Sequence, residues 1–485
     1  MGGDFGNELD ELLPTLDKPR EECGIFGIYG PGLDVARLTY YGLYALQHRG
    51  QESAGIAVGN GSKLQLVKGV GLVSEVFNDE KLGSFQGHLA IGHVRYSTTG
   101  SNNPANAQPL VFNYSRGMIG LSHNGNISNI NELRQQLSSS GSVFQSTTDS
   151  EVIVNLIARY SQNSLVEAIV KSMIDLKGAY SLLVLTENKL IAIRDPFGFR
   201  PLCLGRKGDA YVVASESCAL DIIGAELVRD LEPGEIVVID EDGLQSLKSL
   251  QVRRPKAHCI FEYIYFARPD SRIDGFNVNR VRREMGRQLA REYPVDADLV
   301  IPVPDSGTIS ARGFAEESGI PFEEGLMKNR YVGRTFIQPS QDIRELGVRL
   351  KLNPVRDLLQ GKRVLLVDDS IVRGTTSAKI VSMVRECGAK EVHFCLSSPP
   401  TILPCYYGID TSEGELIAAH KTVEEIREHI GADGLHYLSL GGLLGIFGEA
   451  RGNFCTACFS GDYPTYVPNP HLQGKLVFEE GNGFS

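Results

Sequence analysis

Hydrophobic and polar positions follow two different rhythms along this chain, and the change comes after "VRRPKAH". From Cys23 to about Lys248, short apolar runs recur between Gly and Asn: "GIFGIYG", "AGIAV", "LAIGHVR", "MIGLSHNG", "YSLLVLTENKLIAIRD" and "AYVVASES". Apolar runs bounded by turn residues predict β-strands. Two stretches among them, "VARLTYYGLYALQHRG" and "SEVIVNLIARYSQN", place apolar residues at helical spacing. Many strands with few helices predict stacked layers of sheet and helix. From about Asn277 the order becomes helix ("NRVRREMGRQLAREY"), strand ("ADLVIPVP"), helix, loop, strand ("RVLLVDDS"), helix ("TTSAKIVSMVRECG") and strand ("EVHFCLSS"). That alternation predicts a parallel sheet. After about Thr411 the chain reads as helical and polar, then passes into a tail containing Gly and Cys. No internal repeat or low-complexity segment interrupts it.

At 485 residues the chain exceeds a single hydrophobic core, so two or three domains are expected. Its 48 basic and 59 acidic residues give a net charge of −11, which argues against a nucleic-acid surface but leaves room for a local basic pocket. No apolar run reaches the length of a membrane helix. The leader "NELDELLPTLDKPREE" is acidic and broken by proline, unlike a signal peptide, so a cytoplasmic location is expected. In that compartment the nine cysteines read as buried thiols, a nucleophile or metal ligands rather than disulfides.

The most informative stretch of the second half is "KRVLLVDDSIVRGTTSAK". Val364 to Val367 is wholly apolar, as a central parallel strand requires. It ends in Asp368 and Asp369, followed by a loop through Ser370, Arg373 and Gly374, then Thr375 and Thr376 opening a helix. Ile380, Val381, Val384 and Cys387 supply that helix's apolar face, and Gly388 is placed to stop it. Strand, loop and helix N-terminus together make an anion site, where free N–H groups and the helix dipole point at a phosphate. The carboxylates would repel that phosphate. They fit ribose hydroxyls, a magnesium ion or positive charge developing on a sugar carbon. An ordinary strand-turn-helix with solvated acids accounts for one terminal carboxylate, but poorly for two in succession before Ser-x-x-x-Gly-Thr-Thr.

"VLLVDDSIVRGTT" resembles the phosphoribosylpyrophosphate motif of type I phosphoribosyltransferases. Upstream, "KNRYVGRTFIQPSQ" resembles, more narrowly, the mobile loop of the glutamine phosphoribosylpyrophosphate amidotransferase family, which closes over the diphosphate. The resemblance implies diphosphate contacts from Arg330, Arg334 and Lys351, and phosphoribosylpyrophosphate binding by Asp368, Asp369, Ser370, Arg373, Gly374, Thr375 and Thr376. A diphosphate with magnesium needs several cations, and an acidic chain concentrates them here. Gly333 and Pro339 beside Tyr331, Phe336 and Ile337 favour a lid over a solvated basic loop. Asp368, Asp369 and Ser306 (in "PVPDSG") are the candidate magnesium ligands.

The first half offers scattered candidates: Cys23, Arg49 in "LQHRGQESAG", Arg95 in "GHVRYSTTG", Asn124 and Gly125 in "SHNGNI", and Asp149 in "STTDSE". Singly each is bland, since Asn-Gly is most often a turn and an Arg beside an aromatic is most often packing. Together they resemble a class II glutamine amidotransferase of the N-terminal nucleophile hydrolases, over most of residues 23–220 and including "IRDPFGFRPL" and "ASES". The resemblance implies a four-layer αββα domain of α+β class. It also implies that Cys23 attacks the glutamine amide, with Asn124 and the Gly125 N–H holding the oxyanion. Arg95 would bind the glutamine carboxylate, Asp149 its α-amino group, and Arg49 would belong to a closing loop. One fixed cation and one fixed anion suit a zwitterion.

That chemistry explains the leader. A thiol of pKa ~8.5 is barely ionised at neutral pH, whereas a terminal α-amine of roughly 7.7–8.0 can serve as its base. The amine exists only once the Glu22–Cys23 bond is cut, so residues 1–22 are expected to be a propeptide.

"FCTACFS" places Cys455 and Cys458 at C-x-x-C spacing, which alone fits zinc, iron–sulfur or a redox pair. Relatives that carry a [4Fe–4S] cluster use four cysteines, and this chain matches their contexts at Cys259 in "HCIFEYIYFARPDS", Cys405 in "LPCYYGID", and the pair. Cys203, Cys218, Cys387 and Cys395 read as buried thiols.

The expected organisation is a propeptide (1–22), a glutamine amidotransferase domain (23–257), an α/β phosphoribosyltransferase domain with a parallel sheet (258–450), and a tail with cluster-ligand cysteines (451–485). The expected reaction is glutamine-dependent formation of 5-phosphoribosylamine for purine synthesis, with ammonia passed between shielded sites. Family resemblance adds purine-nucleotide feedback inhibition and a homotetramer or homodimer. Sugar-phosphate aminotransferases and asparagine synthetases would share the first half but lack "VLLVDDSIVRGTT". A non-catalytic phosphoribosylpyrophosphate sensor would have no use for Cys23, Arg95, Asn124, Gly125 and Asp149 together.

Overall fold

The computed structural model describes residues 23–96, 103–248, 255–329, 352–411 and 413–468. In the first half, thirteen strands form two antiparallel sheets. The strands are β1 (Gly24–Tyr29), β2 (Ser53–Gly59), β3 (Leu64–Val70), β4 (Leu89–Arg95), β5 (Leu110–Tyr114), β6 (Gly117–Ile127), β7 (Gly178–Leu185), β8 (Leu190–Arg194), β9 (Cys203–Lys207), β10 (Ala210–Ala214), β11 (Glu226–Asp230), β12 (Glu235–Asp240) and β13 (Gly243–Lys248). One sheet runs β11-β9-β10-β1-β4-β2-β3 and the other β13-β12-β8-β7-β6-β5.

Period-2 alternation explains the layering. On β1, Ile25 and Tyr29 enter an inter-sheet core with Ile91, Leu183 and Val237, while Phe26 and Ile28 face outward onto helix Val35–Ala45. The second sheet turns Ile119, Leu121 and Leu182 toward helices Ile130–Ser139, Asp149–Tyr160 and Leu165–Asp175. β1 is buried on both faces, so it reads as a continuous apolar run rather than an alternating one. The arrangement is the expected αββα stack. Helices Ile130–Ser139 and Leu165–Asp175 are additions to the two that periodicity picks out.

The second half holds a four-stranded parallel sheet in the order Leu299–Pro302, Arg363–Asp368, Glu391–Leu396, Gly434–Tyr437. Val364 and Leu366 pack beneath helix Thr375–Glu386, and Leu365 and Val367 pack on the opposite face against helices Val278–Glu292 and Thr308–Ser318. The helix 375–386 ends one residue before Cys387, and Gly388 follows with φ +89°.

The halves are joined by backbone as well as side chains. The Ala257 N–H donates to the Phe197 carbonyl at 2.8 Å and the Cys259 N–H to Phe199 at 3.1 Å. The tail is built into the second core: the Phe454 and Phe447 ring centroids lie 4.1 Å apart, tilted at 44°, and those of Phe459 and Phe261 lie 5.4 Å apart.

Candidate functional site

Three constellations lie where the topology brings separate stretches together. The first surrounds Cys23, immediately before β1. Its side chain is 7% exposed, and its thiol donates to the Tyr96 carbonyl at 3.3 Å, just past the end of β4. Burial pushes the thiol up to about 11, opposed by the charge of Arg95.

Across the inter-sheet layer lies β6, whose edge becomes free where β5 stops. The ladder between them ends at the Leu110–Leu121 pair. Beyond it, alternate residues of β6 turn their backbone groups to the vacated side. Side chains take the place of the missing strand. The His123 N–H donates to Gln108 Oε1 at 2.9 Å, the His123 carbonyl meets His93 Nε2 at 2.9 Å, and the Ile127 N–H donates to Asp149 Oδ2 at 3.2 Å. Gly125 shares this parity, so its N–H opens on the same edge. Its φ of +144° and a carbonyl 2.1 Å from where a Cβ would stand leave no room for another residue. Asn124 points into the inter-sheet layer, fully buried, and neither its oxygen nor its nitrogen has a hydrogen-bond partner among the described residues. A buried amide without partners is a prepared binding group.

The two charged candidates are also buried. Arg95 is 2% exposed and lies 4.0 Å from Glu52. For Asp149, burial favours protonation, but His123 at 3.5 Å, the Ile127 N–H and Ser150 outweigh it and hold the carboxyl below its usual range.

Arg49 departs from the expected closing-loop role. It is 1% exposed, its Nε donates to the Cys23 carbonyl at 3.1 Å, and its other nitrogens reach Glu216 at 2.6 Å and Glu262 at 2.7 Å. Two buried carboxylates from different halves of the chain fix it as an inter-domain ion pair beneath the nucleophile. Its positive charge faces those two carboxylates.

The second constellation caps the parallel sheet. Asp368 Oδ1 accepts from the Asp369 N–H at 2.8 Å and the Ser306 hydroxyl at 3.2 Å, while Asp369 accepts from the Ser370 hydroxyl at 2.5 Å. Gly374 stands at the helix N-terminus with φ +82°, followed by Thr375 and a buried Thr376. Arg282 donates to the carbonyls of Tyr263, Tyr265 and Ala267; burial lowers it to about 10, with Asp369 acting against that shift. Arg373 is engaged with Glu415. Arg330, Arg334 and Lys351 lie outside the described residues, as does the leader 1–22.

The third constellation is sulfur. Cys259, Cys405, Cys455 and Cys458 line one pocket with Arg200 and Tyr407. Parallel pairing of His258–Cys259 with Phe454–Cys455 sets two of the thiols side by side. Burial raises Cys259 to about 11 and pushes Cys455 and Cys458 higher. Among the described residues, no three His, Cys, Asp or Glu side chains converge on a point that would hold a single metal ion. Cys203, Cys218, Cys387 and Cys395 are buried, as expected.

Residues 93–221 match the family described as "Glutamine amidotransferase domain", and residues 277–398 match "Phosphoribosyl transferase domain". The amidophosphoribosyltransferase of Bacillus subtilis (strain 168) is 53% identical over 477 residues, covering 96% of this chain and 100% of that protein. The chain belongs to the amidophosphoribosyltransferase family. The amidophosphoribosyltransferase of Methanocaldococcus jannaschii is 52% identical, with 93% of this chain and 100% of that protein covered. A solved glutamine phosphoribosylpyrophosphate amidotransferase from B. subtilis, complexed with ADP and GMP, superposes with a TM-score of 0.88 at 51% identity, covering 93% of this chain and 100% of that one. This chain is therefore an amidophosphoribosyltransferase-family enzyme, one that forms 5-phosphoribosylamine from phosphoribosylpyrophosphate at the expense of glutamine, in purine synthesis. No helix among the described residues is long and apolar enough to cross a membrane.

Sequence reasoning passed over His93, Gln108, Glu216 and Glu262. His93 left a trace, two residues before Arg95 and therefore on the same face of β4. The carboxylates left none, because their partner Arg49 is more than 160 residues away.

Proposed function

We propose that Cys23 is the nucleophile of glutamine hydrolysis, exposed as an N-terminus by removal of residues 1–22. Its sulfur attacks the side-chain amide carbon while the new α-amine takes the thiol proton and hands it to the departing ammonia. The Asn124 amide and the Gly125 N–H receive the oxyanion. Arg95 pairs with the substrate carboxylate and Asp149 with its α-ammonium. Water then releases glutamate from the thioester. The observation that carries this reading is the buried Asn124 amide, without a partner among the described residues, next to Gly125, whose N–H faces the edge of β6 that β5 leaves.

At the second site the N–H groups at the start of helix Thr375–Glu386 hold the 5-phosphate. Asp368 and Asp369 face the ribose and stabilise positive charge at its C1 as diphosphate leaves and ammonia adds. Arg330, Arg334 and Lys351 complete the diphosphate site, and Arg373 joins it on release from Glu415. The oxygen donors Asp368, Asp369 and Ser306 fit Mg2+, which would neutralise the leaving diphosphate. Four thiols spread around one pocket fit a [4Fe–4S] cluster, one thiolate to each iron, better than a single zinc; its contribution would be a structural cross-link. Purine nucleotides act as feedback inhibitors of a cytoplasmic homo-oligomer, a reading supported by the neighbour solved with ADP and GMP.

The test is diphosphate release from phosphoribosylpyrophosphate with glutamine or with ammonia. Cys23→Ala should abolish the glutamine-dependent rate and keep the ammonia-dependent one; retained glutamine activity would overturn the assignment. The same purified protein should begin at CGIFG on N-terminal sequencing and contain about four irons per chain when prepared without oxygen.

A further inference from the structure

Past Leu121, no strand among the described residues pairs with β6 on one side, yet it must present an oxyanion site without moving as charge develops there. Whatever fixes that edge therefore fixes the alignment of Asn124 and Gly125. From the opposite sheet, His93 of β4 reaches across the inter-sheet layer and meets the His123 carbonyl at 2.9 Å. The bond falls one residue before Asn124 and two before Gly125. A carbonyl only accepts, so His93 Nε2 carries the hydrogen. The ring is 0% exposed, and Nδ1 has no partner among the described residues. Burial with Arg95 and His123 nearby lowers His93 to about 3, so it stays neutral and holds one tautomer. The same strand pairs with β1, where Gly24 lies opposite Val94 and Ile25 opposite His93. β4 thus contacts both the nucleophile's strand and the oxyanion strand.

We propose that His93 is a positioning residue for glutamine hydrolysis, its Nε2–H holding the His123 carbonyl so that the Asn124 amide and the Gly125 N–H converge on the oxyanion. The inference rests on the assignment of those two groups to the oxyanion site. His93 acts through the His123 carbonyl, so its influence falls on the tetrahedral state and not on substrate affinity.

The experiment compares His93→Leu, which removes the donor at similar volume, with His93→Gln, whose amide nitrogen falls near the position of Nε2. His93→Leu should lower kcat for glutamine hydrolysis roughly ten- to a hundredfold, below the full loss of an oxyanion donor, and leave KM for glutamine within about threefold. Ammonia-dependent synthesis should stay at the parent rate. His93→Gln should recover most of the lost kcat. The γ-aldehyde of glutamate, which adds the Cys23 thiol to its carbonyl as a tetrahedral hemithioacetal with no redox change, should bind His93→Leu more weakly by the same factor, while glutamate binding is unchanged. A general packing defect would weaken both ligands together and would not be rescued by Gln.

A kcat within twofold of the parent in folded His93→Leu overturns the proposal, as does a loss confined to KM. Should His93→Leu fail to fold, His93→Gln against His93→Asn decides it, because the shorter amide cannot reach the carbonyl; equal rates for the two overturn the proposal. Aldehyde that fails to add to Cys23 in the parent protein would instead overturn the nucleophile assignment itself.

Discussion

Burial pushes the Cys23 thiol up to about 11, with the Arg95 charge pulling the other way. At neutral pH such a thiol is protonated, and only a base beside it makes it useful. The α-amine of a free N-terminus, of pKa roughly 7.7–8.0, is that base. It works when unprotonated, so kcat/KM for glutamine hydrolysis should fall as pH drops below about 8 and level off above it. A second rise as pH approaches 11 would mean that the bare thiolate does the work. Asn124 is the complementary case, a buried amide with no hydrogen-bond partner among the described residues. Asn124→Ala should lower kcat for glutamine by about 10²–10³-fold, with ammonia-dependent synthesis untouched.

Among the elements, the helix Thr375–Glu386 depends on how its first turn is entered. Gly374 takes φ +82°, and a Cβ there would come within 3.0 Å of Ile417 Cδ1 and 3.3 Å of His429. The Ile417 tip can move, so the backbone conformation dominates the penalty. A left-handed non-glycine residue costs about 1–2 kcal/mol. Gly374→Ala should therefore weaken phosphoribosylpyrophosphate roughly five- to thirtyfold, read as KM in the ammonia-dependent assay, and spare the glutaminase.

At the scale of the whole molecule, Arg49 joins the halves. It lies between Glu216, on the first half, and Glu262, on the turn that opens the second, with its Nε on the Cys23 carbonyl. Burial alone would raise Glu216, but His48 and Arg49 outweigh it and hold it well below the ordinary carboxylate range. A depressed carboxylate contributes stability above its unfolded value of 4.5 and loses it as pH falls toward its folded value. Removing the cation takes the closest guanidinium from both buried carboxylates, leaving Glu216 to His48 and Ser271 and Glu262 to Arg200 at 3.8 Å. Arg49→Met should cost roughly 3–5 kcal/mol in equilibrium unfolding at pH 7, against near-neutral effects for an exposed pair such as Arg427–Glu424.

Much of this protein was legible in the sequence alone. Period and turn residues determined the strand-rich first half and the alternating second half, because those patterns depend on neighbours within a few residues. The Asp368–Gly374 stretch likewise declared an anion site, since strand, loop and helix start are contiguous. The glutamine site was legible only through resemblance, because its members come from four separated stretches and none is distinctive by itself. Tertiary structure alone decided the rest. It moved Arg49 from a substrate loop to a buried tie, because two carboxylates more than 160 residues away surround it. It exposed the free edge of β6, because where β5 stops is a matter of register and not of composition. And it gave His93 a purpose, since one carbonyl on the facing sheet is a partner that no local pattern encodes.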